Sequence, residues 1–160
     1  MAKFAEGTTV PVEKSQQEIG ATLVRYGASS YATAWDNGRA MIAFGIEDRR
    51  FRMVLELVSA DDPALARTAG GRVRDKAARA AAADAENRRR WRALALGVKA
   101  KLEAVATGIE TLDEAFLAHI LLPDGTTVAE HVKPAIAHAY ATGEIRPFIP
   151  PPALPPGRDD

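Results

Sequence analysis

The 160-residue sequence contains no cysteine. That excludes disulfides, thiolate nucleophiles and cysteine-ligated zinc. No apolar run approaches the ~20 residues that span a bilayer. The first ten residues, MAKFAEGTTV, lack the apolar centre of a signal peptide, so the sequence predicts a cytoplasmic protein. No GxxxxGK[ST] or GxGxxG phosphate loop occurs, nor a GxSxG elbow, nor HExxH. The few serines (Ser15, Ser29, Ser30, Ser59) stand in no hydrolase motif. Net charge is also missing: 21 Lys and Arg balance 21 Asp and Glu. A net charge of zero normally argues against a polyanion partner. What is present is 47% hydrophobic and 26% charged residues, the composition of a globular domain large enough for a real core.

Hydrophobic periodicity divides the chain. Residues 1–13 show none and read as a flexible lead. Ser15 and Glu18 fit a capping box, and Ile19, Leu23 and Tyr26 follow at helical spacing up to Gly27. This predicts a helix over 15–26. The period then shortens to two. Asn37-Gly38 accepts the positive φ of a two-residue hairpin. Phe51, Met53, Leu55 and Leu57 alternate with Arg50, Arg52 and Glu56, so residues 30–58 read as a three-stranded antiparallel meander. Asp61-Asp62-Pro63 is a stop signal able to cap a helical turn, and Thr68–Gly71 breaks any continuation.

Between Arg74 and Thr107 there is no proline, and no glycine except Gly97. If continuous, this helix is about 34 residues and ~50 Å long at 1.5 Å per residue. Trp91, Leu94, Ala95, Val98, Leu102 and Val105 form its apolar stripe, whereas Ala77–Ala85 offers only methyl groups to bury. Gly108 ends it. Capping boxes at Thr111–Glu114 and Thr127–Glu130 open two C-terminal helices, with a kink or a new start expected at Pro134 and closure at Gly143. The tail after Arg146 holds six of the ten prolines and reads as extended. The fold class is therefore α+β: one domain over 14–145, followed by a Pro-rich tail over 146–160.

The zero net charge conceals an uneven distribution. Residues 1–71 carry −1, residues 72–101 carry +7 and residues 103–160 carry −6. Arg88, Arg89, Arg90, Arg92, Lys99 and Lys101 flank or oppose the apolar stripe of the long helix. Arg49, Arg50 and Arg52 form a second cluster at a hairpin turn. Arginine reads phosphate well because its planar fork donates paired hydrogen bonds. Tyr31 and Trp35 share a strand face and could stack unpaired bases, if the arginines lie on the same side of the sheet. Glu or Asp from the C-terminal third could equally neutralise these arginines within the fold. His119, His131 and His138 lack metal-ligand spacing, and the acidic pairs fall in turns and caps. No catalytic residue, metal ligand or cofactor is assigned.

The segments VPVEKSQQEI, YGASSYATAW and RRRWRALALGVKAKLEAVATGIETLDEAFLAHILLPDGTTV resemble a family of small phage and prophage proteins, especially of actinobacteria, over residues 10–145. The resemblance implies a mobile-element protein working in the host cytoplasm and carries no catalytic residue. The order helix, meander, long basic helix is also similar to that of Red-beta and RecT-type single-strand annealing proteins. The expectation is a non-enzymatic, homo-oligomeric nucleic-acid binder with single-stranded DNA favoured. The alternative is a protein-binding modulator or a self-assembling subunit.

Overall fold

The computed structural model describes residue 5 and residues 7–145. The Pro-rich tail and most of the first six residues lie outside the described residues. The elements, in order, are helix α1 (Val12–Arg25), strands β1 (Ala28–Asp36), β2 (Arg39–Ile46) and β3 (Arg49–Glu56), a 3-10 turn (Pro63–Leu65), and helix α2 (Lys76–Ala106). Helix α3 (Leu112–Phe116), a 3-10 turn (Leu117–His119) and helix α4 (Val128–Thr142) follow. This is the expected α+β architecture, and the long helix is one uninterrupted element. No helix among the described residues is long and apolar enough to cross a membrane.

The sheet is antiparallel in the order β1-β2-β3. Its first turn is the expected one: Asn37 and Gly38 take φ of 46° and 77°, the geometry a right-twisted hairpin requires. The register places Tyr31, Phe44 and Phe51 side by side, then Thr33, Ile42 and Met53, then Trp35, Ala40 and Leu55. Strand side chains alternate between faces, so these rows share the face turned to the helices. Ala32, Ala43 and Arg52, with Ala34, Met41 and Val54, form rows on the other face.

The core fills the space between that first face and one stripe of α2. Trp91, Ala95, Val98 and Leu102 are buried against Ile42, Phe44 and Phe51, with Ile19 and Leu23 of α1 completing the layer. Phe116 joins Phe44 and Phe51 at ring-centroid distances of 5.6 and 5.4 Å, which docks the C-terminal third onto the sheet. Residues 120–121 continue the sheet on its β3 side through a Phe51–Ile120 bridge and a bond from Leu121 N–H to Arg50 O at 2.8 Å.

Several local expectations hold. Asp62 caps the 3-10 turn through Ala64 N–H at 2.8 Å. Thr111 and Thr127 form complete capping boxes, and Gly143 closes α4 in the left-handed conformation. Two do not hold. The Ser15–Glu18 capping box is absent: α1 begins at Val12 with Pro11 as its N-cap, and Ser15 is buried inside the helix. Packing of Val12 against the core stabilises a further turn, which outweighs the local capping signal. Pro134 starts no new helix; α4 runs through it as one element.

The alanine-rich half of α2 meets no helix. Ala83 is buried where the 3-10 turn packs on α2, while Ala77, Ala78, Ala80 and Ala81 remain exposed. Further along, Gly97 is a helix-interior glycine in open space, with nothing within 4 Å of where a Cβ would stand. Gly97→Ala is expected to stabilise the protein by about 0.5–1 kcal/mol, because glycine in mid-helix loses the most backbone entropy. A urea-unfolding midpoint that fails to rise would show that the Cβ has a neighbour it cannot tolerate.

Candidate nucleic-acid interface

The cations of α2 are positioned by the burial of Trp91. Once that ring enters the core, its neighbours are carried to the flanks of the helix, within reach of α1 and of the chain leaving β3. Arg89 Nη2 and Arg90 Nε pair with Glu86 Oε1 at 2.5 and 3.1 Å. Arg90 Nη1 also donates to Glu56 O at 2.6 Å. Arg92 pairs with Glu18 of α1. Lys101 Nζ donates to Ala115 O at 2.5 Å and sits 5.6 Å from the Phe116 ring centroid. Beside them, Asn87 clamps Val58: its Nδ2 donates to Val58 O at 3.0 Å and its Oδ1 accepts from Val58 N–H at 2.8 Å. Arg88 and Lys99 are the two bases of this predicted set on α2 whose side chains contact no acceptor in the described structure.

The hairpin cluster is also tied into the fold. Arg49 pairs with Asp48 at 2.7 Å and Asp113 at 3.3 Å, and Arg52 pairs with Glu130 at 2.7 Å. Arg50 is exposed and contacts no acceptor through its side chain. Tyr31 and Trp35 stand on the helix-facing side of the sheet, opposite Arg50 and Arg52. Two two-residue turns fix that parity, so a single platform of stacked bases and arginine-held phosphates does not form there. Tyr31 packs on Gly20 of α1 and donates its Oη to Gln16 O at 3.2 Å, and burial raises its pKa. Trp35 is 80% exposed.

The structure assembles a different basic surface, which local pattern reading passed over. Residues 66–74 fold into a small hairpin at the N-terminal end of α2. An Arg67–Val73 bridge closes it, with Arg74 N–H bonded to Ala66 O at 2.9 Å and Gly71 at φ 82° in the turn. Its arginines are splinted by carbonyls: Arg67 Nη1 donates to Gly71 O at 2.9 Å, and Arg74 Nη1 to Arg67 O at 2.6 Å. Arg72 and Lys76 are exposed, and Val73 at the same place is 65% exposed. Asp75, the acidic residue among them, is committed to capping α2 through Ala78 N–H at 2.8 Å. None of Arg67, Arg72, Arg74, Lys76 and Arg79 pairs with a carboxylate among the described residues. The sequence signal was available: arginines on both sides of Gly70-Gly71, leading into a helix start.

No cluster of three or more His, Asp or Glu side chains among the described residues could hold a metal ion. His119 has a lowered pKa because it is half-buried and lies near Lys101. An open concavity of about 500 Å³ lies at the base of the hairpin, lined in part by Asp62, Arg74, Glu86, Arg89 and Arg90. Arg89 and Arg90 there are already paired with Glu86. No family model, curated protein or solved structure matches the chain, so the functional reading rests on the geometry.

Glu86 makes the pairing measurable. Hydrogen bonds from Arg89 first, and then Arg90, lower its pKa from 4.5 to about 2. A carboxylate whose folded pKa is depressed contributes stability that is complete above its unfolded pKa and disappears as pH falls through the folded one. Glu86→Gln should therefore lower the urea midpoint at pH 6 and flatten the pH dependence between 4.5 and about 2. Equal pH profiles for the two proteins would mean that Glu86 does not hold the arginines.

Proposed function

We propose that the protein is a non-enzymatic nucleic-acid-binding protein whose phosphate contacts lie on the basic hairpin at the start of α2, rather than along the middle of that helix. The observation that carries this reading is the group Arg67, Arg72, Arg74, Lys76 and Arg79, which has no carboxylate partner and of which Arg67, Arg72 and Lys76 are exposed, while Arg89, Arg90 and Arg92 are held by Glu86 and Glu18 within the fold. Backbone phosphates are the ligands such a surface suits, because phosphate contact needs cations in an accessible array and no base-edge reader. Arg88 and Lys99 lie further along α2 and could extend the track. Single-stranded DNA remains the favoured form. Phosphate contact alone expresses no strand preference, so the test compares both forms.

Fluorescence anisotropy with labelled single- and double-stranded oligonucleotides at two salt concentrations tests the proposal. The expected result is micromolar or tighter binding at low salt that weakens steeply as salt rises. Each phosphate contact contributes about 0.7–0.9 to the logarithmic slope. The double variant Arg72→Gln/Lys76→Gln should reduce that slope by about 1.5. Absence of binding at low salt refutes the function. Binding with an unchanged slope in the variant removes the hairpin from it.

A second reading, a protein-binding or self-assembling module, is supported by large apolar side chains left in solvent. Trp35 is one, and Leu117, Ile136 and Tyr140 of the C-terminal third are others.

A further inference from the structure

Strand β1 is the free edge of the sheet: β2 pairs with it on one side, and no strand among the described residues pairs with it on the other. Exposed edges in native proteins carry lysine, proline, inward charges or a covering element. Along Tyr31–Trp35 β1 carries no lysine, proline or charge, and its one charged residue, Asp36, sits at its end. Its only irregularity is a register shift between Ala28 and Ser30.

The hydrogen-bonding phase of this edge follows from the turn. A two-residue hairpin closes on a hydrogen-bonded pair, here Asp36 and Arg39, so Ala34 and Ala32 also direct their backbone groups at β2. Tyr31, Thr33 and Trp35 therefore present their N–H and C=O groups outward. The same alternation puts the Arg50 carbonyl on the outer side of β3, where Leu121 N–H meets it.

The segment Tyr31-Ala32-Thr33-Ala34-Trp35 is a chemical palindrome about Thr33. We infer that β1 pairs antiparallel with β1 of a second copy about a two-fold axis at Thr33, joining the two sheets into one continuous six-stranded sheet. In that register Thr33 faces Thr33 of the other copy, and Trp35 faces its Tyr31. Asp36 falls opposite Ser30, whose hydroxyl can donate to the carboxylate. No like charges meet. A two-fold interface must be self-complementary, and this strand is so in backbone polarity, side-chain size and charge. Aromatic and Thr–Thr cross-strand pairs are among the stabilising ones.

Space is available for the contact. Helix α1 covers β1 at Tyr31 through Gln16 and Gly20, and leaves Trp35 in solvent. The uncovered end of each strand thus receives the covered end of its partner, and Trp35 is buried beside the other copy's Tyr31. This deepens the self-assembling reading and does not depend on nucleic acid.

Sedimentation equilibrium of the nuclease-treated full chain tests it, with three variants. The wild type is expected to form a dimer at micromolar concentration. Trp35→Ser removes an exposed anchor and should weaken association at least about tenfold. Thr33→Pro deletes an N–H that points away from β2, so a dimer interface is lost while the hairpin bonds remain. Thr33→Cys supplies the only thiol in the chain, and mild oxidation should link two copies through it at a Cα separation within the 4.4–6.8 Å range of disulfides. A wild type that stays monomeric at about 100 μM, or that dimerises only after an oligonucleotide is added, overturns the inference. So does a dimer indifferent to Trp35→Ser and to Thr33→Pro, or a Thr33→Cys protein that fails to cross-link. Lys99→Cys, exposed on α2 and outside β1, serves as the control for random collision.

Discussion

Everything else in this structure depends on how α2 is seated. Trp91 must be buried, and the residues on either side of it are Arg90 and Arg92. A helix cannot sink one such side chain without drawing its neighbours into partial burial. A guanidinium leaving water needs an acceptor there. Glu18 on α1, Glu86 one turn back and the carbonyl of Glu56 supply those acceptors. The same turn of helix places Asn87 where it can clamp Val58. One segment, Glu86–Arg92, thereby fixes α1, the end of β3 and the loop that follows.

That seating decides which surfaces are left for partners. α1 and α2 cover one face of the sheet, and residues 120–121 cover its β3 edge. The β1 edge stays open, as does the face bearing Ala32, Ala34 and Val54. The middle of α2 spends Arg89, Arg90 and Arg92 on internal pairs, and a second group of cations, without carboxylate partners, stands at the N-terminal end of the helix. There the hairpin holds arginines by carbonyls, which fix their direction without cancelling their charge. Trp35 lies at the same end of the sheet, since the Asn37-Gly38 turn is bonded to Leu57 N–H at 2.7 Å. α4 joins the body through its cap, the Glu130–Arg52 pair and contact with the Leu117–His119 turn, and it buries no residue fully.

Local chemistry made much of this legible. Asn37-Gly38 and the alternation in β3 specify the meander, and the boxes at Thr111 and Thr127 specify two helix starts. Reading failed where a distant contact outweighed a local signal. Ser15 looked like a cap because the docking of Val12 is invisible in sequence. Which carboxylates hold the arginines is not legible in sequence, because Glu18 is 74 residues from Arg92, and Glu130 is 78 from Arg52. The opposite placement of Tyr31 and Arg50 is a different case. Two-residue turns at 37–38 and 47–48 already determine the parity of the whole meander, so that separation could have been worked out from residue numbers. Gly70-Gly71 carries a break signal in sequence, whereas in the structure it forms the turn of the basic hairpin.

The central claim is that the arginines beside Trp91 are structural struts, and that Arg72 of the hairpin is not. Equilibrium urea unfolding of Arg90→Gln against Arg72→Gln tests it most directly. A part-buried arginine bonded to a carboxylate and a carbonyl should cost about 1.5–3 kcal/mol when removed, and an exposed one less than about 0.5 kcal/mol. The account predicts a clearly lowered midpoint for Arg90→Gln and an unmoved one for Arg72→Gln. Equal midpoints, or the reverse order, would contradict it.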